Sequence, residues 1–207
     1  MASAARVSSQ RPPPVAHQPL AFPAKIGRYP ADDPRLTTVP DNSSPDPEFG
    51  IAFRDYRLIP VFRSTTPELR EAVVDFWLGE GALRNRPSAE ERAFELVYVI
   101  RNRQQELIGV STAQLAPGLG GQPAYFLRTF IRPADRTPGL PQRVIRETWQ
   151  LLKRRTPPDG PQGAFLVGEN PKLQRPGMKQ QLARRGWDYL GQNAKGLPLW
   201  GKPFSRT

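Results

Sequence analysis

From residue 56 onward the apolar positions of this chain alternate between two periods, and that alternation lays out a fold. Residues 56–62 read as a first strand. Thr66-Pro67-Glu68 then supplies an N-cap, a proline at the first helical position and an early acid, so a helix is expected through Leu69, Val73, Phe76 and Trp77 to about Leu78. Ser88-Ala89-Glu90-Glu91 reads as a capping box opening a second, short helix. Residues 96–101 and 106–115 are β-rich runs joined by the polar residues 102–105, the pattern of a hairpin, and after a glycine-rich loop at 117–123 residues 124–131 make a third strand of that meander.

Helical periodicity returns at Leu140, Val144, Ile145, Thr148, Leu151 and Leu152, runs to the basic end Lys153-Arg154-Arg155 and is stopped by Pro157-Pro158. Residues 163–167 form a short apolar run, read as a strand buried on both faces. Residues 178–185 read as a helix closed by Gly186, and 188–192 with 197–200 as a final hairpin around Ala194-Lys195-Gly196. The order β, α, α, three β, α, β, α, β, β specifies an α/β sandwich. Of the aromatics, Phe76, Trp77, Trp149 and Trp187 are expected in the core, and Trp200 and Phe204 are expected to be the exposed ones.

The first fifty residues are different, with ten of the 25 prolines and no period that can be followed. Residues 1–55 are therefore expected to be an extended or disordered Pro-rich arm, and residues 56–207 one domain. The first 31 residues hold four Lys/Arg and no acid, a composition shared with transit peptides, but Pro12 to Pro14 interrupt an amphipathic helix there. There is no cysteine and one histidine, His17, so thiolate chemistry, disulfides, zinc sites and Ser-His-Asp triads are excluded or disfavoured. Lack of cysteine suits a cytoplasmic setting, and no apolar run approaches the roughly 20 residues of a membrane span.

Charge sharpens the picture because it is unevenly placed. Residues 1–55 carry six Lys/Arg against six Asp/Glu, 56–139 eleven against nine, and 140–207 thirteen against four. A basic last third suits a polyanionic partner: a phosphorylated cofactor, nucleic acid or an acidic protein surface. Lys153, Arg154, Arg155, Arg184 and Arg185 suit nucleic-acid phosphates or simply helix ends, and no RNA-binding aromatic motif or recognition helix accompanies them. The basicity begins where Ile131-Arg-Pro-Ala-Asp-Arg136-Thr-Pro-Gly139-Leu-Pro-Gln-Arg143 joins a strand to a helix. A strand, a short Arg/Gly turn and a helix N-terminus gather amides and the positive helix end on one point, an arrangement that binds phosphate.

Two segments resemble the GNAT acyltransferase superfamily, over roughly Tyr56 to Phe204. Ile131-x-Pro133-x-x-Arg136-x-x-Gly139-x-Pro141 is similar to the family's Val-x-Pro strand end and pyrophosphate loop. Gly163-Ala-Phe-Leu-Val167 with Glu169-Asn170, a helix and Arg185-Gly186-Trp187 is similar to its fifth strand, asparagine, helix and terminal Gly-Phe. The resemblance implies a mixed, mostly antiparallel sheet flanked by helices, with acetyl-CoA or another acyl-CoA as cofactor and an amine as acceptor. It places the cofactor at Phe130, Ile131, Arg136, Thr137, Gly139, Leu140, Gln142 and Asn170, with amides around Phe130 and Ile131 polarising the thioester. Departures are Thr137, where glycine is commoner, and Pro141, where Gly or Ala is usual; Pro138 and Pro141 each remove a donor.

The family's thiolate-protonating tyrosine corresponds to Leu182, which moves that role to Tyr189, Tyr98, Ser111 or water. Candidates for the general base are Glu95, Glu106 and Glu169, each of a type that is also commonly a solvated or capping acid. Two other functions stay open: a catalytically degenerate fold serving as a structural or binding subunit, its arm threading a larger assembly, and a basic protein associated with nucleic acid. The three separate on whether the anion turn holds an acyl-CoA.

Overall fold

The computed structural model describes residues 50–169 and 176–204, so residues 1–49 of the expected arm and Asn170 lie outside the described residues, while the last residues of that expected arm, 50–55, belong to the folded domain. Eight strands and four helices follow the chain as β1 (Ile51–Phe53), β2 (Tyr56–Pro60), α1 (Pro67–Gly79), α2 (Arg86–Ala93), β3 (Leu96–Arg101), β4 (Leu107–Pro117), β5 (Pro123–Ile131), α3 (Leu140–Arg155), β6 (Gly163–Val167), α4 (Pro176–Ala183), β7 (Asp188–Gln192) and β8 (Pro198–Pro203). They form one sheet in the order β1-β2-β3-β4-β5-β6-β8-β7. Only β5 and β6 pair in parallel, with α3 crossing between them; every other pair is antiparallel. The mixed, mostly antiparallel sheet flanked by helices is the architecture that the resemblance implies. Among the described residues no helix is long and apolar enough to cross a membrane.

Consecutive β3 residues Val99 and Ile100 project to opposite faces, and each face has its own core. On one, Leu140, Val144, Leu151 and Leu152 of α3 and Leu182 of α4 pack with Val97, Ile100, Ile108, Leu127 and Trp200. On the other, Val73, Val74 and Trp77 of α1 and Ala89 and Ala93 of α2 pack with Leu96, Val99 and Val110. Inside the first core the Thr148 hydroxyl donates to Ser111 Oγ at 2.9 Å, satisfying two buried hydroxyls and fixing α3 over β4. Helix α1 starts as its residues dictate, the Thr66 side chain accepting from Leu69 N–H at 3.2 Å.

Three features differ from the expectation. Strand β1 is an addition: three residues are too few to show a period, and its tip is turned by Arg54 at φ 54°, with Asp55 ion-paired to Arg103. The second helix is capped by Asn85 and not Ser88, because Asn85 Oδ1 accepts from Ser88 N–H at 2.9 Å and so places Ser88 in the first turn. Trp200, expected at the surface, is 2 % exposed, because β8 lies inside the sheet between β6 and β7 and the Tyr189 ring lies tilted against the indole, centroids 4.9 Å apart. Phe204 is half-buried, while Trp77 and Trp187 are buried as expected, with Phe76 and Trp149 half-buried.

The capping assignment has a direct check by denaturant unfolding. Asn85→Ala is expected to destabilise the domain by about 1 kcal/mol, and Ser88→Ala by less than about 0.5 kcal/mol.

Candidate active site

The site is built where β5 loses one neighbour. Its antiparallel ladder with β4 runs from Pro117↔Pro123 to Gly109↔Ile131, but its parallel ladder with β6 has only Tyr125↔Ala164, Phe126↔Phe165 and Leu127↔Leu166. Past Val167 the chain keeps to β8, Gly168 N–H donating to Pro198 O at 2.7 Å in continuation of that ladder, and then turns tightly, Glu169 N–H donating to Val167 O at 2.9 Å. Residues 128–131 therefore border an open gap.

Two hydrogen bonds fix which amides face that gap. Arg132 N–H donates to Ile108 O at 2.8 Å and Gly118 N–H to Gln122 O at 2.7 Å. Antiparallel hydrogen-bonded pairs recur every second residue, so Arg128 and Phe130 exchange bonds with β4 while the N–H groups of Thr129 and Ile131 point into the gap. Phe130 contributes its ring instead, edge-on to Phe76 of α1 at 5.7 Å. Thr129 was not singled out from sequence, because alternation gives the period of a strand but not its direction until the register is known.

Beyond Ile131 the loop is braced on both sides. Arg136 Nε donates to Ile131 O at 3.0 Å, and Thr137 Oγ1 lies 3.1 Å from the Tyr56 hydroxyl of β2. Gly139 caps α3 at φ 89°, a conformation that favours glycine, with the Phe53 ring 3.4 Å from where a Cβ would sit. The amides of Arg136, Thr137 and Leu140 are used within the loop, donating to Pro133 O, Asp135 O and Thr137 O. Among the described residues that leaves the Gly139 and Gln142 N–H groups at the positive end of α3 without a backbone acceptor, and Gln142 Oε1 is buried without a hydrogen-bond partner. Leu140 itself is fully buried in the core.

On the α1–α2 side the gap meets a cleft of about 160 Å³. Trp77, Leu83, Val110 and Phe130 supply apolar walls, and Arg92, Thr112, Arg128 and Glu169 supply polar ones. Arg128 is ion-paired with Glu95 at 3.7 Å. Of the sequence-derived acids, Glu169 lines the cleft and Glu95 borders it through Arg128, whereas Glu106 is exposed and bound to Arg132 at 3.2 Å. Hydrogen bonds from Asn102 and then Arg132 hold the Glu106 carboxyl below its ordinary range.

Among the described residues no tyrosine lines the cleft. Tyr189 lies on β7, three strands from β5, its ring under the Lys179 ammonium at 4.3 Å. Tyr98 is buried, and desolvation, reinforced by the charge of Glu147, pushes its hydroxyl up to about 12. Ser111 is fully buried against Thr148, and Leu182, 7 % exposed, packs into the core.

No protein-family model matches the sequence, and no curated protein matches it. By structure the chain is similar to a GNAT-family acetyltransferase from Listeria monocytogenes, at a TM-score of 0.51 and 17% identity over 75% of this chain and 99% of that one. It is also similar to the ribosomal-protein-S5-alanine acetyltransferase of Vibrio fischeri, at a TM-score of 0.52 and 11% identity over 76% of this chain and 97% of that one. The chain therefore has the fold of the GNAT acetyltransferases.

Because the Tyr98 hydroxyl is held up near 12, it stays protonated through neutral and mildly alkaline pH. In a titration of phenolate absorbance, Tyr98→Phe is expected to remove no amplitude below about pH 11.

Proposed function

We propose that this protein is an acyl-CoA-dependent N-acyltransferase that moves an acetyl or related acyl group onto a small amine. The observation that carries the reading is the gap beside β5. There the N–H groups of Thr129 and Ile131 face an opening that leads at Ile131 into the α3 loop and at Thr129 into the cleft. Such fixed donors, aimed where charge develops on a carbonyl oxygen, need no reorganisation during reaction.

The residues fit the cofactor in a reduced form. The Gly139 and Gln142 amides and the positive end of α3 would hold its pyrophosphate. Arg136 and Tyr56 brace the loop that presents them. Acetyl-CoA supplies the activated acyl carbon when bound. At the cleft, Glu169 would take a proton from the acceptor's ammonium, directly or through water, while Glu95 serves to hold Arg128. The deprotonated nitrogen would then be free to take the acyl group, and the second proton it gives up would balance the one that the leaving thiolate needs. Among the described residues no tyrosine lines the cleft, so water would carry that last proton.

One observation favours a second reading, a fold kept for binding alone: Leu182 fills the core where the resemblance expects a proton donor. Calorimetric titration with acetyl-CoA separates the two. Binding to the wild type is expected, together with loss of about tenfold or more in affinity for Gly139→Glu, whose side chain opposes phosphate and strains a left-handed position. No heat at millimolar cofactor would contradict the enzyme reading. If transfer is observed, Tyr189→Phe is expected to leave kcat within about twofold, since the hydroxyl lies outside the site; a loss of about a hundredfold, the size of a general-acid contribution, would put it back.

A further inference from the structure

The floor of the cleft holds a buried polar group for which the described residues provide no partner. Thr112 is 2 % exposed, lines the cleft, and its Oγ1 makes no hydrogen bond among the described residues. A buried hydroxyl left unsatisfied destabilises the fold, which makes it a signal that a ligand completes it. Directly across the β4–β5 ladder Thr112 faces Arg128, so their side chains are neighbours on the same face of the sheet. The guanidinium of Arg128 contacts Glu95 through one terminal nitrogen at 3.7 Å and also lines the cleft. A hydroxyl and a guanidinium side by side make a donor pair for a carboxylate.

Resting on the acyltransferase reading above, we infer that the acceptor is a free α-amino acid with an apolar side chain. Its carboxylate is bound by Arg128 and Thr112, and its side chain by Trp77, Leu83 and Phe130. The size of the cleft supports the α position. Arg128, Thr129 and Glu169 line one cavity of about 160 Å³. So small a space suits an acceptor whose ammonium and carboxylate sit on neighbouring atoms. Glu169 gives the cleft its negative group for the ammonium, and Arg92 adds positive charge to the lining.

The test compares ligands that differ only in the carboxylate. Leucine, methionine and phenylalanine are titrated against leucinamide, isoamylamine and phenethylamine, first by chemical-shift or thermal-shift binding to the protein alone and then as acceptors with acetyl-CoA. The expected result is a preference of about tenfold or more for the amino acids, absent in Arg128→Gln and weakened in Thr112→Val. Thr112→Val should also unfold at the same temperature as the wild type or higher, because it removes an unsatisfied hydroxyl and keeps the shape. That pairing of weaker binding with undiminished stability would not come from a misfolded variant.

Equal binding of acids, amide and amines, persistence of the preference in Arg128→Gln, or no binding of any of the three amino acids would each overturn the inference. Carboxylate preference without acetyl-CoA binding would support the acceptor site and sink the acyltransferase reading alone.

Discussion

The end of pairing between β5 and β6 is the constraint on which the rest of this structure depends. Three register pairs hold the two strands together, and beyond them β6 follows β8 alone, Gly168 N–H bonding Pro198 O in continuation of their ladder, so no β6 carbonyl is paired with β5 past Leu127. That loss of a facing strand leaves two β5 amides aimed at open space, in a fold where nearly every buried amide is paired. The opening persists because both its sides are fixed: β5 is locked by its ladder to β4, and β6 by its five pairs with β8. Helix α3, starting at the far end of β5, brings its positive end to the same opening.

Rigidity around the gap comes from cores on both faces of the sheet. Helix α3 is seated by four buried leucine and valine side chains and the Ser111–Thr148 bond, and its own buried Glu147 carboxylate is ion-paired within the helix to Arg143 and Arg146 at 2.9 Å each. Helices α1 and α2 roof the opposite face and leave the cleft between their ends and the sheet. Positioned donors depend on such support, since small displacements of a site are enough to lose rate.

Much of the framework was legible because it is written in local chemistry. The Thr66-Pro67-Glu68 start, the apolar face of α3, the polar turn at 102–105 and the motif from Ile131 to Gly139 each state their structure within a few residues. The site was legible only in part, since its specific features are products of register and packing. Which β5 amides face the gap is set by a bond between Arg132 and Ile108, and Thr112 meets Arg128 only because residues 16 apart in the chain pair across a ladder. Tyr189 looked available as a proton donor until the strand order put β8 between its strand and β6. Asn85 outcompeted Ser88 as a cap through one side-chain bond, a choice that composition alone leaves open.

The central claim, that the gap beside β5 is a preformed set of donors for an acyl-CoA, is most directly tested by residue-resolved amide hydrogen exchange with and without acetyl-CoA. The expected result is added protection at Thr129 and Ile131, and at Gly139 and Gln142, with Phe130 unchanged because its amide is already bound to β4. Unaltered exchange at Thr129 and Ile131 under saturating cofactor, or protection spread evenly over all of β5, would contradict it.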